Sequence, residues 1–167
     1  IYRDPRRFGI MAITDESKLN SHPLLCRMGP EPFDNQLNWE FLAKIFAKRN
    51  SPIKNILMDQ RVIAGLGNIY TCEALFFAGI SPLVPASSLK KLRIKRLIDS
   101  IRKVLSAAIA SGGSSFRDFV HTTGEVGYFQ HQWKVYGKEG LPCGDCGPNN
   151  SCKVKKIKLS GRSTFWC

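Results

Sequence analysis

The chain has 167 residues, 43% of them hydrophobic, enough for one substantial core plus a small appendage and too apolar for a disordered polyelectrolyte. Its 25 Lys and Arg against 13 Asp and Glu give a formal net charge of +12, which points to a polyanionic partner, nucleic acid ahead of an anionic membrane surface. No apolar run approaches the roughly 20 residues that span a bilayer, and the start lacks a signal-peptide pattern, so neither a membrane-spanning nor a secreted protein is expected.

The chain starts at Ile1 and stops at Cys167, so a longer parent protein is the expectation. Asp4-Pro5 opens a basic turn closed by Gly9, and Ile10 to Ile13 reads as the end of a strand. Arg6, Arg7 and Phe8 sit on that turn; guanidiniums beside an aromatic ring suit insertion between bases. Residues 14–32, with Pro23, Gly29, Pro30 and Pro32, read as a linker that ends one domain.

Asn38 caps a predicted helix to about Arg49, with Trp39, Leu42, Ile45 and Phe46 on its inner face. Ser51-Pro52 interrupts it, and a short helical turn over 53–58 follows. Lys44, Lys48, Arg49 and Lys54 give this region the charge to line a phosphate path. The stretch Met58 to Ala78 then runs from an apolar approach through Gly65-Leu66-Gly67-Asn68 into a second helix. Glycines before a helix leave first-turn N–H groups facing forward, which suits an anion, although the same residues serve a plain tight turn.

Gly79 stops that helix, Pro82 and Pro85 turn the chain, and Ser87 or Ser88 begins the longest helix, to about Ser111. Leu89, Leu92, Leu97, Ile101, Val104, Leu105 and Ala108 are expected inward, and Lys90, Lys91, Arg93, Lys95, Arg96, Arg102 and Lys103 outward. After Gly112-Gly113, residues 121–129 form a polar, glycine-bearing loop suited to a ligand contact, and Trp133 to Tyr136 is strand-like.

Four of the six cysteines crowd the last 25 positions, at the bases of two short predicted strands joined through Gly161-Arg162. So small a tail needs a metal staple, and a Cys-x-x-Cys pair without a secretory signal reads as a metal knuckle. Cys143, Cys146 and Cys167 are the candidate zinc ligands. The preferred fourth is a cysteine about three residues beyond Cys167, with Cys152 the competitor; His121 and His131 rank low. Cys72, in an apolar helix, is read as a buried inert thiol.

Three motifs in order, DPRRFG at Asp4 to Gly9, MDQRVIAGLGNIY at Met58 to Tyr70, and VYGKEGLPCGDC continuing to GRSTFWC, resemble bacterial formamidopyrimidine-DNA glycosylase over essentially the whole chain. The resemblance implies a mainly α architecture. Residues 1–32 would be the end of a β-sandwich domain and its linker, 33–130 a helix–two-turn–helix DNA-binding domain, and 131–167 a small β zinc ribbon with one structural zinc. It implies an enzyme that removes oxidised purines such as 8-oxoguanine and formamidopyrimidines from duplex DNA, and then cleaves the abasic site. The expected setting is the bacterial cytoplasm, on the nucleoid, as a monomer with no membrane contact.

The roles the resemblance implies fall on named positions. Arg6 and Phe8 fill the space of the extruded base; extrusion is needed because the glycosidic bond is out of reach within the stack. Arg49, Lys54, Gly67, Asn68 and Tyr136 contact DNA, mostly its phosphates. Arg162 binds phosphate and assists the final elimination. Thr122, Thr123, Gly124, Val126 and Tyr128 belong to the loop over the everted base. The spacing between Cys146 and Cys167 exceeds the family's usual one, through an insertion over Pro148 to Cys152. The family's nucleophile, a mature N-terminal proline amine, has no counterpart in these residues, so the chain alone is expected to be inactive while its parent is an enzyme. The competing class is a non-catalytic zinc-containing nucleic-acid-binding module.

Overall fold

The structure, a computed structural model, describes residues 4, 8–113, 128–146 and 152–167. Asn38 begins the helical part: its Oδ1 accepts from Phe41 N at 2.9 Å, and α1 (Trp39–Phe46) follows, burying Leu42 and Phe46. Pro52 starts α2 (Ile53–Leu57), whose five residues bury Ile53, Lys54, Ile56 and Leu57. Gly65, at φ +74°, makes the turn that aims α3 (Asn68–Phe77) back across the core. Gly79, at φ +62°, ends α3, and the Ile80 amide closes it by donating to the Leu75 carbonyl at 2.9 Å.

The long helix, α4 (Lys91–Ala110), begins later than the sequence suggests, because residues Ala86–Ser88 form a 3-10 turn. This corrects its inner face. Ile94, Leu97, Ile98, Ile101, Val104 and Ala108 form the buried stripe, whereas Leu92 is 79% exposed. Two residues ahead of Ile94, Leu92 lies about 200° round the helix, on the solvent side. Arg102 also departs from the expected outer face. Its guanidinium donates to the carbonyls of Pro32, Asp34 and Leu37 at 3.0, 3.2 and 3.0 Å, tying the incoming chain to α4.

Docking onto the helical part begins near residue 29. The Gly29 amide donates to Gln60 O, Ala64 N donates to Pro30 O, and a Cβ on Gly29 would lie 2.7 Å from the Arg61 carbonyl oxygen. Upstream, the strand expected at Ile10–Ile13 is absent; this stretch is exposed and has no pairing strand among the described residues. A 3-10 turn occupies Glu16–Ser21 instead.

At the other end, β1 (Lys155–Leu159) and β2 (Arg162–Trp166) pair antiparallel, with Leu159 opposite Arg162. Ser160 and Gly161, both at positive φ, make the two-residue hairpin turn. The ribbon has little core of its own. Val154 and Phe165 pack with Val135 against Cys72 and Phe76 of α3, so the hairpin leans on the helix. Among the described residues no helix is long and apolar enough to cross a membrane.

Candidate nucleic-acid interface and metal centre

Gly67 precedes α3 in extended conformation with no side chain to cap the helix, leaving its start open in front. Asn68 bridges two elements there: its Nδ2 donates to the Tyr136 hydroxyl at 3.1 Å and to the Ser163 carbonyl at 3.0 Å. Its Oδ1 is buried with no hydrogen-bond partner among the described residues. Ser163 follows Arg162, so the helix start, the tyrosine and the beginning of β2 meet at one place. Because the Tyr136 oxygen accepts from Asn68, its proton is left to donate outward.

Beside this junction lies an open cleft of about 260 Å³, lined by Lys54, Asn55, Met58, Asp59, Leu159 and Arg162 among others. Arg162 is exposed and makes no ion pair among the described residues. Arg49 reaches Asp59 at 3.9 Å, and Arg61 grips the same carboxylate with Nε and Nη2 at 2.9 Å each. These bonds, the Arg61 side chain first, hold the Asp59 carboxyl below its ordinary range. Arg61 was not singled out from the sequence, although an Asp two residues before an Arg in a turn is a usable sign of such a fork.

Lys54 is placed differently from a lysine on a phosphate path. It is 1% exposed, and its Nζ donates to Thr164 Oγ1 at 2.7 Å. Burial pushes its pKa down, opposed by the Cys72 thiol and helped by the Arg162 charge. The site's other unforeseen residue is Glu73, also 1% exposed, whose carboxylate accepts from the amides of Lys134, Val135 and Tyr136 at 2.8, 3.0 and 2.8 Å. An acid in the middle of a buried helix is itself the signal, since such groups persist only when hydrogen-bonded. The strand expected at Trp133–Tyr136 is therefore a turn gripped by a side chain.

Phe8 lies apart from this junction in sequence and is 78% exposed on the turn closed by Gly9 N donating to Asp4 Oδ2 at 2.7 Å. Arg6 lies outside the described residues, as do Thr122, Thr123, Gly124 and Val126. Tyr128, exposed, is described; its amide donates to Ser111 O, and Phe129 N donates to Gly113 O.

The ribbon brings four thiols together. The Sγ atoms of Cys143, Cys146, Cys152 and Cys167 all lie within 4.8 Å of one another. The Cys143–Cys146 and Cys146–Cys167 separations are 3.5 Å and Cys152–Cys167 is 3.2 Å. Tetrahedral zinc with Zn–S near 2.3 Å sets sulfur edges of roughly 3.8 Å, whereas a disulfide needs about 2.05 Å. The donor set fits a closed structural zinc site. Here Cys152 stands where the sequence preferred a cysteine beyond Cys167: its carbonyl accepts from Cys143 N at 3.0 Å, which draws its thiol into the cluster. Hydrogen bonding to Cys152 first, and then to Cys143, pushes the Cys146 thiol up to about 11, against an opposing pull from Cys167. Against its burial, hydrogen bonds from the Cys167 thiol and the Asp145 backbone draw Cys143 below the usual thiol range, so it is the readiest of the four to ligate as a thiolate.

Cys72, 2% exposed in α3, has its thiol pushed up by burial and packs under the ribbon.

The family profile described as the formamidopyrimidine-DNA glycosylase H2TH domain matches residues 28–120. The formamidopyrimidine-DNA glycosylase of Rhodospirillum centenum is 52% identical over 168 residues, which cover 99% of this chain and 58% of that protein. That of Brucella ovis is 49% identical over 171 residues, covering all of this chain and 57% of its own length. The chain thus spans a little under three fifths of these relatives. Among solved structures, the MutM (Fpg) protein of Thermus thermophilus superposes with a TM-score of 0.88 at 40% identity, over 98% of this chain and 61% of that one. Lactococcus lactis Fpg in complex with DNA containing an abasic site gives 0.80 at 35% identity, over 91% and 54%.

Proposed function

We propose that this chain, which belongs to the formamidopyrimidine-DNA glycosylase family, is the DNA-gripping portion of a base-excision glycosylase and AP lyase that removes oxidised purines from duplex DNA. The observation that carries the proposal is the Asn68 bridge. One amide joins the start of α3, the Tyr136 hydroxyl and the residue after Arg162, so that three elements meet at one place. That arrangement fits a phosphate backbone, which is bound by helix starts, hydroxyls and guanidiniums and positions the protein without reading sequence. The Lactococcus lactis relative, bound to abasic-site DNA, supports the same partner.

In this reading the open helix start at Gly67 and Asn68 holds the phosphates around the lesion through its backbone amides, together with the Tyr136 hydroxyl and Arg162. The Asn68 side chain keeps these elements together. Arg49 lies close enough to Asp59 to be steered toward the same strand. Lys54 acts from within, setting β2 and hence Arg162. Arg6 and Phe8 occupy the vacated stack while the loop bearing Thr122, Thr123, Gly124, Val126 and Tyr128 closes on the extruded base. Arg162 also serves the elimination step, where a guanidinium on the departing phosphate offsets the charge that develops there. Covalent attack on the sugar is assigned to the complete protein, and gripping to this chain. One zinc, held by the ribbon cysteines, fixes the hairpin that carries Arg162 and has no part in the chemistry. The protein acts as a monomer on DNA in the bacterial cytoplasm.

The test is borohydride trapping of the complete protein on a duplex containing 8-oxoguanine. A covalent protein–DNA adduct is expected; its absence, with duplex binding intact, would leave the competing non-catalytic module as the reading.

A further inference from the structure

Glu73 is the most completely enclosed carboxylate in the described residues, and no lysine, arginine or histidine forms an ion pair with it there. A bare buried carboxylate is costly, by several kcal/mol even after relaxation, so its surroundings must stabilise it with hydrogen bonds. Three consecutive backbone amides do so: Oε2 accepts from Lys134 N, and Oε1 accepts from Val135 N and Tyr136 N. The benefit is mutual. The 133–136 run belongs to no helix or strand and Val135 is fully buried, so these amides would otherwise lack acceptors.

The same helix holds Tyr136 twice. Its amide donates to Glu73, and its hydroxyl accepts from Asn68, five residues earlier on α3. Five residues of α-helix advance about 7.5 Å, comparable with the reach of a tyrosine from backbone nitrogen to hydroxyl. Between the two anchors the ring is held edge-on against Trp133 at 5.2 Å and Phe165 at 4.9 Å between centroids. Asn68 alone leaves the tyrosine backbone undefined. With Glu73 in place, the position of the phenolic oxygen is set from both ends.

We infer that Glu73 is a positioning residue for DNA binding: by capping the amides of residues 134–136 it places the Tyr136 hydroxyl beside Asn68. It touches no nucleic acid. The inference rests on the reading of Asn68 and Tyr136 as phosphate contacts, and the two are separable by experiment.

The experiment uses the complete protein with Glu73→Gln, Tyr136→Phe and the double variant. Three quantities are read: zinc content, amide hydrogen exchange over 134–136, and affinity for a duplex carrying an abasic-site analogue. Glu73→Gln keeps the volume but replaces one acceptor oxygen by a donor. Zinc is expected to be retained, exchange at 134–136 to accelerate selectively, and affinity to fall roughly tenfold. Tyr136→Phe is expected to weaken binding similarly, and the double variant to bind no worse than the weaker single one, because Glu73 acts through Tyr136. Unchanged exchange, unchanged affinity, or losses that multiply would each overturn the inference. If Glu73→Gln does not fold, Glu73→Asp, which keeps the charge and shortens the reach by one methylene, carries the same cycle. Wild-type protein that fails to bind duplex would sink the DNA reading, and the exchange measurement would still decide whether Glu73 holds the run.

Discussion

The Nζ of Lys54 donates to Thr164 Oγ1 at 2.7 Å in the interior, joining α2 to β2 across 110 positions of sequence. A buried ammonium with a hydroxyl for its partner is an unusual tie, and it places positive charge directly behind Arg162. Thr164→Val should strand the ammonium without that acceptor and cost about 1–3 kcal/mol in chemical denaturation. In a Lys54→Met background, which removes the charge at similar length, the same substitution should cost far less. Equal losses in both backgrounds would show that the bond contributes nothing of its own.

Arg102 makes a second tie of a different kind, one guanidinium serving three carbonyls at the entry to the helical part. A lysine offers a single ammonium and cannot reproduce that fork. Arg102→Lys is expected to cost about 2–3 kcal/mol of stability and to raise amide exchange around residues 34–38, as hydrogen exchange would reveal.

These two ties mark where sequence reading ends. The helices, the turn at Gly65, the hairpin and three of the four clustered cysteines were legible, because periodicity, glycine and ligand spacing are local signals; Cys152 ranks behind a cysteine past Cys167 because its place in the cluster depends on the backbone pairing with Cys143 that brings it back. The inward turn of Arg102, the burial of Lys54 and the three-amide grip of Glu73 were not legible. Each depends on a partner 61 to 110 positions away, and two of the three partners are backbone groups that nearly every residue carries, so no spacing rule encodes them. Leu92 was misplaced for a simpler reason: the long helix starts at Lys91, and the stripe runs through Ile94 and Ile98 instead.

Asp59 gives a pH test with a definite sign. Its carboxyl is held below the ordinary value of 3.8, chiefly by the Arg61 side chain. The native state therefore binds its proton more weakly than the unfolded chain. The resulting stability is fully present above the unfolded pKa and is lost as pH falls through the lower native one. Wild type should exceed Asp59→Asn in stability at neutral pH, with the gap closing below about pH 4. A gap that persists unchanged into strong acid would contradict this.

The cysteine cluster predicts one zinc per chain, released by a chelator with loss of the ribbon's ordered packing on α3. In the 167-residue chain Cys152→Ala leaves three of the four clustered thiols, so a chelating dye should strip the metal at lower concentration than from wild type. Unchanged retention would place the fourth ligand elsewhere. Cys72→Ala, beneath the ribbon, should leave zinc content unaltered.

The most direct measurement is the affinity of the complete protein and its Asn68→Ala and Arg162→Ala variants for a duplex with an abasic-site analogue, across a salt series. Both substitutions should weaken binding roughly tenfold or more without altering base preference. The salt slope should fall by about one for Arg162→Ala, the signature of a lost phosphate contact. Wild-type affinity and slope in both variants would contradict the account, because the bridge at Asn68 and the guanidinium beside it would then hold no phosphate.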